Sequence, residues 1–433
     1  MKKTKLSSKF WIALTIFSLV GQVAWVVENM YFNVFIYKMF HASAEQISLM
    51  VSASAISATL TTIFIGALSD KLGKRKLFIC SGYILWGISI WSFSLIRTDV
   101  IDKMFPMAVS AASVGVSLVI IMDCVMTFFG SAANDACFNA WLTDVTDDTN
   151  RGAAEGINSM MPLVAILVVF GGFMGFDLNK AESWTFIYQI IGIVVFVLGI
   201  LAIFLVKDVP VDTSMNQNYF GNIFYGFRPS VIRKNKLFYI ILMAYATFCI
   251  SIQIFMPYLI LYYNVSLKMD NYVLIMAPAV IVAAIVTAFY GRVYDRFHFK
   301  VAVIPAISTL MLGYVFLYLF QATALVFIGS LFMMSGYLMG MAVFGAMLRD
   351  YTPANRAGMF QGLRIVGQVL VPGIIGPAIG AAVLKNADTV LNDDGTYSFI
   401  PNANIFLAAL IAACFIWLIL AVIFNLTKKT KEN

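Results

Sequence analysis

The stretch GALSDKLGKRK, residues 66–76, has a counterpart in YGRVYDRFHFK, residues 290–300. Both place a glycine four residues before an aspartate and follow the aspartate with basic residues. A second pair of stretches agrees in the same way. WLTDVTDDTNRG (141–152) and MLRDYTPANRAG (347–358) both contain an aspartate, a threonine and an Asn-Arg pair. Two matching pairs in the same order indicate that the chain consists of two repeated halves.

The composition is that of a membrane protein. Of the 433 residues, 61% are hydrophobic and only 12% are charged, whereas soluble domains are about half apolar and about a quarter charged. Apolar runs of about 20 residues, long enough to cross a bilayer, recur along the chain. The five cysteines all fall in such runs and have no metal-binding spacing. Nothing in the sequence calls for a cofactor or a metal ion.

Clusters of charged and turn-forming residues divide the chain into twelve predicted spans. We expect an all-α integral membrane protein with a short interfacial piece inside the polar loop 97–112. The predicted spans are 10–38, 44–69, 77–96, 113–142, 154–176, 184–206, 237–263, 271–291, 301–320, 323–347, 359–384 and 403–426.

The basic residues support an even number of spans. With both termini on the same side, 23 of the 29 lysines and arginines lie on that side, which the positive-inside rule identifies as cytoplasmic. We therefore expect a cell-membrane protein with both termini in the cytoplasm. The net charge of +7 follows from this topology and indicates no nucleic-acid partner. The polar segment 207–236 divides the chain into the six-helix halves 1–206 and 237–433, an arrangement typical of secondary transporters.

GALSDKLGKRK resembles a loop motif of the major facilitator superfamily. Gly66, Asp70, Gly73, Arg75 and Lys76 fall on the pattern of glycine, acid, glycine and basic pair. The resemblance implies that the acid and the basic residues latch the two halves together on the cytoplasmic side. Asp70 would lie near the start of span eleven, and Arg75 could pair with Asp144. With the matching positions of the other loops, the predicted gating residues are Asp70, Gly73, Arg75, Asp144, Arg151, Asp295, Asp350 and Arg356.

ANDACFNAWLTD, residues 133–144, is similar to sequences of the glycoside-pentoside-hexuronide cation symporters. That resemblance implies that an acid in helix four helps to bind the coupling cation, and Asp135 is the matching position. Sodium-coupled members also carry acids in helix two. LMVSASAISATLTTIF, residues 49–64, has none, which favours proton coupling or a different cation site.

VVENMYFNVF, residues 26–35, places polar residues deep in the first apolar run. At roughly 100° per residue, Gln22, Trp25, Asn29 and Asn33 share one helix face, with Glu28 at its edge. Such a face must contact protein or a water-filled cavity, because unpaired polar groups are costly in lipid. We predict that the four residues bind the solute. Glu28 is either a carrier of the coupling proton or a structural carboxylate.

Span four carries two polar pairs on different faces. Asp123 and Asn134 share one face, and Asp135 and Asn139 share another. Only one face can line a cavity fully, and the family match favours Asp135 with Asn139 as part of the cation site. The alternative is that this pair caps or bridges loops at the cytoplasmic end.

In the second half, Gln253 and Gln368 are the predicted solute-binding residues. Arg364 is either a positive-inside anchor or a contact to solute or gate. Pro257 and Pro372 should interrupt spans seven and eleven, because proline removes a helix hydrogen bond.

We expect a monomeric secondary transporter that moves a small polar solute, a sugar or a glycoside, by symport with a proton or a sodium ion. No nucleotide-binding loop or catalytic grouping is present, so the sequence does not predict an enzyme. One alternative is a proton-driven exporter of amphipathic compounds or a lipid transporter, for which the 23 methionines and 37 phenylalanines would form an adaptable cavity. Another is a sensor on the same fold that transports nothing.

Overall fold

A computed structural model describes residues 6–106, 110–147, 150–208, 225–269, 271–352, 362–392 and 395–432, without the side chains of residues 291, 295 and 428–432. In this part of the chain, twelve helices are long and apolar enough to cross a membrane. The predicted number of spans is therefore confirmed, and the chain is a multi-pass membrane protein.

The spans, numbered from the N-terminus, lie within five residues of the predicted bounds. They are Ser8–Phe40, Ala44–Leu72, Arg75–Leu95, Ala111–Val145, Arg151–Phe173, Ala181–Leu205, Lys236–Ser266, Val273–Tyr294, Arg296–Leu319, Thr323–Asp350, Gly362–Leu384 and Asn404–Thr427.

Short elements connect the spans. The interfacial piece predicted in the loop 97–112 is the helix Thr98–Met104, and a helix Pro229–Lys234 precedes span seven. Spans eleven and twelve are joined by an antiparallel hairpin of strands β1 (Thr389–Leu391) and β2 (Tyr397–Phe399). The all-α prediction thus holds for the spans, and the hairpin adds two short strands outside them.

Four of the described spans contain a π-helix, in which each backbone hydrogen bond skips one more residue than in an α-helix. The π-helices are Val27–Tyr31, Ser131–Phe138, Tyr262–Ser266 and Val366–Leu370. The last one ends directly before the turn that holds Pro372. A turn of 3₁₀ helix surrounds Pro257 in span seven. Both predicted proline interruptions are therefore present.

The Cα positions group the chain into two compact units. Unit one consists of residues 1–42 and 53–223, and unit two of residues 43–52 and 224–433. The start of span two therefore belongs to unit two, where the Tyr258 hydroxyl donates to the Ala44 carbonyl (3.0 Å) and Ser52 donates to the Gly373 carbonyl (3.2 Å). The predicted boundary at 207–236 stays a prediction, and its residues 209–224 lie outside the described part.

Within unit one, spans three and six approach each other through glycine. A Cβ atom added to Gly192 would lie 2.6 Å from the Trp91 nitrogen, and one added to Gly199 would lie 2.6 Å from the Ile84 nitrogen. Membrane helices have little hydrophobic drive to associate and rely on close packing of small residues. These glycines therefore fix the position of span six against span three. In unit two, Gly313 and Gly336 let spans nine and ten pack in the same way.

Candidate functional site

The predicted gating motif forms a compact polar cluster in unit one. Arg75 is 5% exposed and forms a salt bridge with Asp70. Its Nε donates to Asp144 Oδ2 (3.1 Å) and its Nη1 donates to Ser69 Oγ (2.5 Å). A buried guanidinium needs such partners because desolvating its charge is expensive. The cluster joins the end of span two, the start of span three and the end of span four.

Gly73 makes this arrangement possible. Its φ angle is 64°, in the left-handed region that glycine adopts without a steric penalty. The Gly73 nitrogen donates to the Ser69 carbonyl (2.9 Å), so the residue ends span two in the manner of a helix C-cap. The chain then turns at once into Arg75. The expected placement of Asp70 near the start of span eleven stays a prediction.

The remaining predicted gating residues have other surroundings. Arg151 donates to the Thr143 carbonyl (3.2 Å) and the Thr146 carbonyl (3.0 Å) and so closes the end of span four. In unit two, Asp350 accepts a hydrogen bond from the Tyr294 hydroxyl (2.5 Å). The side chain of Asp295 and all of Arg356 lie outside the described residues.

The polar residues of span one do not keep the common face that ideal helical spacing predicts. Gln22 and Trp25 are half-buried, Asn29 is exposed, and Asn33 is fully buried. The π-helix Val27–Tyr31 contains Asn29 and changes the helical register between Gln22 and Asn33. Asn33 therefore has no exposed surface in this structure, whereas the other three residues do, and their predicted contact with a solute stays a prediction.

The two asparagine amides bond to the backbone of their own helix. Asn29 Nδ2 donates to the Trp25 carbonyl (2.8 Å), and Asn33 Nδ2 donates to the Asn29 carbonyl (2.9 Å). Each of these bonds spans four residues that include part of the π-helix Val27–Tyr31. One function of the asparagines is thus to support the irregular segment that holds Glu28.

Trp25 connects span one to span four. Its Nε1 donates to Asn134 Oδ1 at 3.4 Å, and Asn134 Nδ2 donates to the Tyr83 hydroxyl at 2.6 Å. Trp25 also packs against Trp86, with ring centroids 5.1 Å apart. Asn134 is 3% exposed, so it is a contact between helices. One face of the tryptophan packs against protein and the side chain is half-buried, and its predicted contact with a solute stays a prediction.

Glu28 lies at the centre of a second polar cluster in unit one. Its Oε1 accepts hydrogen bonds from Ser54 Oγ (2.6 Å) and Thr127 Oγ1 (2.8 Å), and the two hydroxyls are 2.9 Å apart. Spans one, two and four thus meet at one carboxyl group. Sequence reasoning missed Ser54 and Thr127. The available signal was the position of Thr127 one helical turn after Asp123.

The two polar pairs of span four have different exposure. Asp123 and Asn134 are buried, whereas Asp135 is half-buried and Asn139 is exposed. Ser131 Oγ donates to Asp135 Oδ2 (3.1 Å), and Asn139 Nδ2 donates to the Asp135 carbonyl (3.2 Å). The pair of Asp135 and Asn139 therefore presents the more accessible face of the span.

Unit two contains a polar network around Tyr245. Arg364 Nε donates to Gln368 Oε1 (2.7 Å), and Gln368 Nε2 donates to the Tyr245 hydroxyl. The Tyr245 ring stacks on Phe344 with centroids 5.5 Å apart. The half-buried Gln253 lies directly against Gly376 of span eleven. Gln368 thus holds Arg364 in place along the same helix, a role that sequence reasoning did not assign to it.

The sequence matches the model of a protein family described as Major Facilitator Superfamily over residues 10–345. A search of curated proteins finds no significant match. Among solved structures, the fold is similar to a bacterial homolog of the human lysosomal transporter Spinster in an inward-facing and unoccupied conformation (TM-score 0.69, 15% identity, 97% of each chain covered).

The fold is also similar to the nucleoside transporter NupG (TM-score 0.66, 14% identity, covering 96% of this chain and 98% of that one). A third similar structure is the xylose transporter XylE from E. coli, with a TM-score of 0.66 and 14% identity, covering 95% of this chain and 98% of that one. At these identities the similarity concerns the fold.

Proposed function

This chain belongs to the major facilitator superfamily, and on that premise we propose that it carries a small polar solute, a sugar or a glycoside, in symport with a proton. Transporters of this kind alternate between states that open a site at the repeat interface to either side. The observation that carries the proposal is Glu28, a carboxyl group that is 7% exposed inside span one and held by hydroxyls of two other spans.

Solute binding is proposed for the accessible polar residues. Gln22, Trp25 and Asn29 combine two amides with an aromatic ring within two turns of span one. Amides supply donors and acceptors, and the ring supplies a flat apolar surface, a pairing that suits a ring with many hydroxyl groups. Asn33 is left out of this set because it is fully buried.

Cation coupling is proposed for Glu28, with Asp135 as the second candidate. Movement of spans one, two and four would change the hydrogen bonds around this carboxyl group. Changes in its surroundings would alter its affinity for a proton, which links proton uptake to the conformational cycle. Both termini are proposed to be cytoplasmic, because most basic residues would then lie on the cytoplasmic side.

A solute screen followed by vesicle uptake tests the proposed function. Thermal stabilisation of the purified protein selects candidate sugars and glycosides, and the selected solute is then followed into proteoliposomes. We expect uptake driven by a proton gradient and little affected by a sodium gradient. Glu28→Gln or Asp135→Asn should abolish this drive, while Asp99→Asn, an exposed carboxylate outside the spans, serves as the matched control. Strictly sodium-dependent uptake that survives both substitutions would refute proton coupling at these residues.

Asn29→Ala should weaken the apparent affinity for the solute several-fold, because each lost hydrogen bond costs about 0.5–1.5 kcal/mol. The measurement is the concentration dependence of uptake, with the amount of protein in the membrane as the control. Cysteines placed at Gln22 and Asn29 should react with a water-soluble thiol reagent and be shielded by solute. If they are inert while cysteines elsewhere on span one react, the residues serve only helix packing.

A further inference from the structure

We propose that Glu28 and Asp123 hold one proton between them, as a carboxyl–carboxylate pair inside unit one, with the Tyr188 hydroxyl as the third polar group of the site. The inference rests on the proton coupling proposed above and deepens it. It adds a second carboxyl group, from span four, to the glutamate of span one.

Three buried oxygen atoms in this region lack a hydrogen-bond partner among the described residues. They are Glu28 Oε2, Asp123 Oδ1 and the Tyr188 hydroxyl. Asp123 is 2% exposed and Tyr188 is fully buried. A buried polar atom without a partner carries a penalty of about 1–3 kcal/mol. Three of them in one region indicate that the site accommodates something that the protein atoms alone do not supply.

The packing of the spans brings these groups together. Thr127 donates to Glu28 at 2.8 Å, and Asp123 lies one turn before Thr127 on the same face of span four. Asp123 is within electrostatic range of Glu28, and Tyr188 of span six is within range of Asp123. The other titratable groups that face the site are Asp135 and Cys124. No described salt bridge supplies a basic partner to either carboxyl group.

Two buried carboxyl groups without a described cation resist being ionised together, because like charges repel strongly at low dielectric, so the pair keeps one proton at neutral pH and loses it only at alkaline pH. The hydrogen bonds decide which of them is charged. Glu28 Oε1 accepts two hydroxyl groups, which stabilise a carboxylate, whereas no described hydrogen bond reaches the Asp123 side chain. The proton therefore resides on Asp123, and an O–H donor on Asp123 can satisfy Glu28 Oε2.

The Tyr188 hydroxyl completes the site on the side of span six. A phenol both donates and accepts, so it can pair with the remaining Asp123 oxygen in the protonated and the ionised states. Tyr188 is a positioning residue in this scheme. Its ring is fixed by Phe32 and Phe35, with centroids 5.4 and 5.1 Å away.

Infrared difference spectroscopy of the purified protein tests the shared proton directly. Between neutral and alkaline pH, the wild type should lose one C=O stretching band of a neutral carboxyl group. Asp123→Asn should remove this band, and Glu28→Gln should shift it, because each changes one member of the pair. The control Asp99→Asn should leave it in place. A band that is unchanged in both variants, or absent from the wild type, would overturn the proposal.

A second measurement separates a proton from a metal ion. The thermal unfolding of the wild type should respond equally to sodium chloride and choline chloride at neutral and alkaline pH. Selective stabilisation by sodium that is lost in Asp123→Asn would overturn the proposal in favour of a sodium site. Neither measurement needs a solute. A failed transport assay with an intact carboxyl band would therefore count against the proposed function alone, and a missing band with intact uptake against the shared proton alone.

Discussion

At the scale of single residues, the hydroxyl group of Thr127 is a hydrogen-bond donor that supports the carboxyl group of Glu28. Thr127 is 1% exposed and donates to a carboxyl group 99 residues away in the sequence. Without it, Glu28 Oε1 would keep only the Ser54 donor. The geometry of the proposed proton site therefore depends on a residue that is not itself titratable.

Thr127→Val preserves the side-chain shape and removes this donor. We expect a loss of stability of about 1–3 kcal/mol, the cost of a buried acceptor that loses a partner. The measurement is the unfolding midpoint of the purified protein in detergent. Thr143→Val is the matched control on the same span, since Thr143 is exposed and donates only to the Asn139 carbonyl of its own helix. Equal midpoints for the two variants would contradict the assigned role of Thr127.

At the scale of elements, spans three and six illustrate how glycine sets the distance between membrane helices. Gly192 faces the backbone of Trp91, which cannot move aside as a flexible side chain would. Gly171 and Gly172 on span five have no heavy atom within 4 Å of an added Cβ atom among the described residues. Glycine therefore permits a close helix contact on span six, whereas on span five Gly171 and Gly172 make no such contact with the described residues.

Gly192→Ala should destabilise the protein by about 1–3 kcal/mol, the usual cost of overpacking a close contact. Gly172→Ala, the matched control, should be neutral or slightly stabilising, since alanine favours a helix over glycine by up to about 1 kcal/mol. Thermal unfolding of both variants in the same detergent gives the comparison. If Gly192→Ala unfolds no earlier than Gly172→Ala, the close contact does not determine the stability of this helix pair.

The spans were predictable from the sequence because an apolar run of sufficient length has few alternatives in a membrane. The sequence did not predict the π-helix Val27–Tyr31. Ideal periodicity grouped Asn33 with Gln22, but the π-helix changes the helical register between them, and Asn33 is fully buried. The partners of Glu28 were harder to predict, since Ser54 gives no periodic signal and the only sign of Thr127 was its position one helical turn after Asp123. Its contacts with Ser54 and Thr127 depend on how three distant spans pack.

At the scale of the whole molecule, the described residues of the two matching loops make polar contacts in both repeats. In unit one, Arg75 joins Asp70 and Asp144. In unit two, the Tyr294 hydroxyl donates to Asp350, while the side chain of Asp295 and all of Arg356 lie outside the described residues.

Asp70→Asn should slow transport while the protein stays folded and inserted, because Arg75 would lose one of its two carboxylate partners. Initial uptake rates in proteoliposomes measure the effect, and Lys74→Gln in the same exposed loop is the control. Uptake at the wild-type rate in Asp70→Asn would show that the cluster serves stability and does not control the cycle.

The hairpin between spans eleven and twelve provides an experimental handle. Gly395 has a φ angle of 80°, and no described heavy atom lies within 4 Å of a Cβ atom added there. A short epitope inserted beside Gly395 would be joined to a pair of antiparallel strands, and an antibody fragment bound to it would add mass next to spans eleven and twelve for electron-microscopic imaging. In intact cells, staining of this epitope without permeabilisation is expected if the termini are cytoplasmic. Staining that requires permeabilisation would reverse the assigned orientation of all twelve spans.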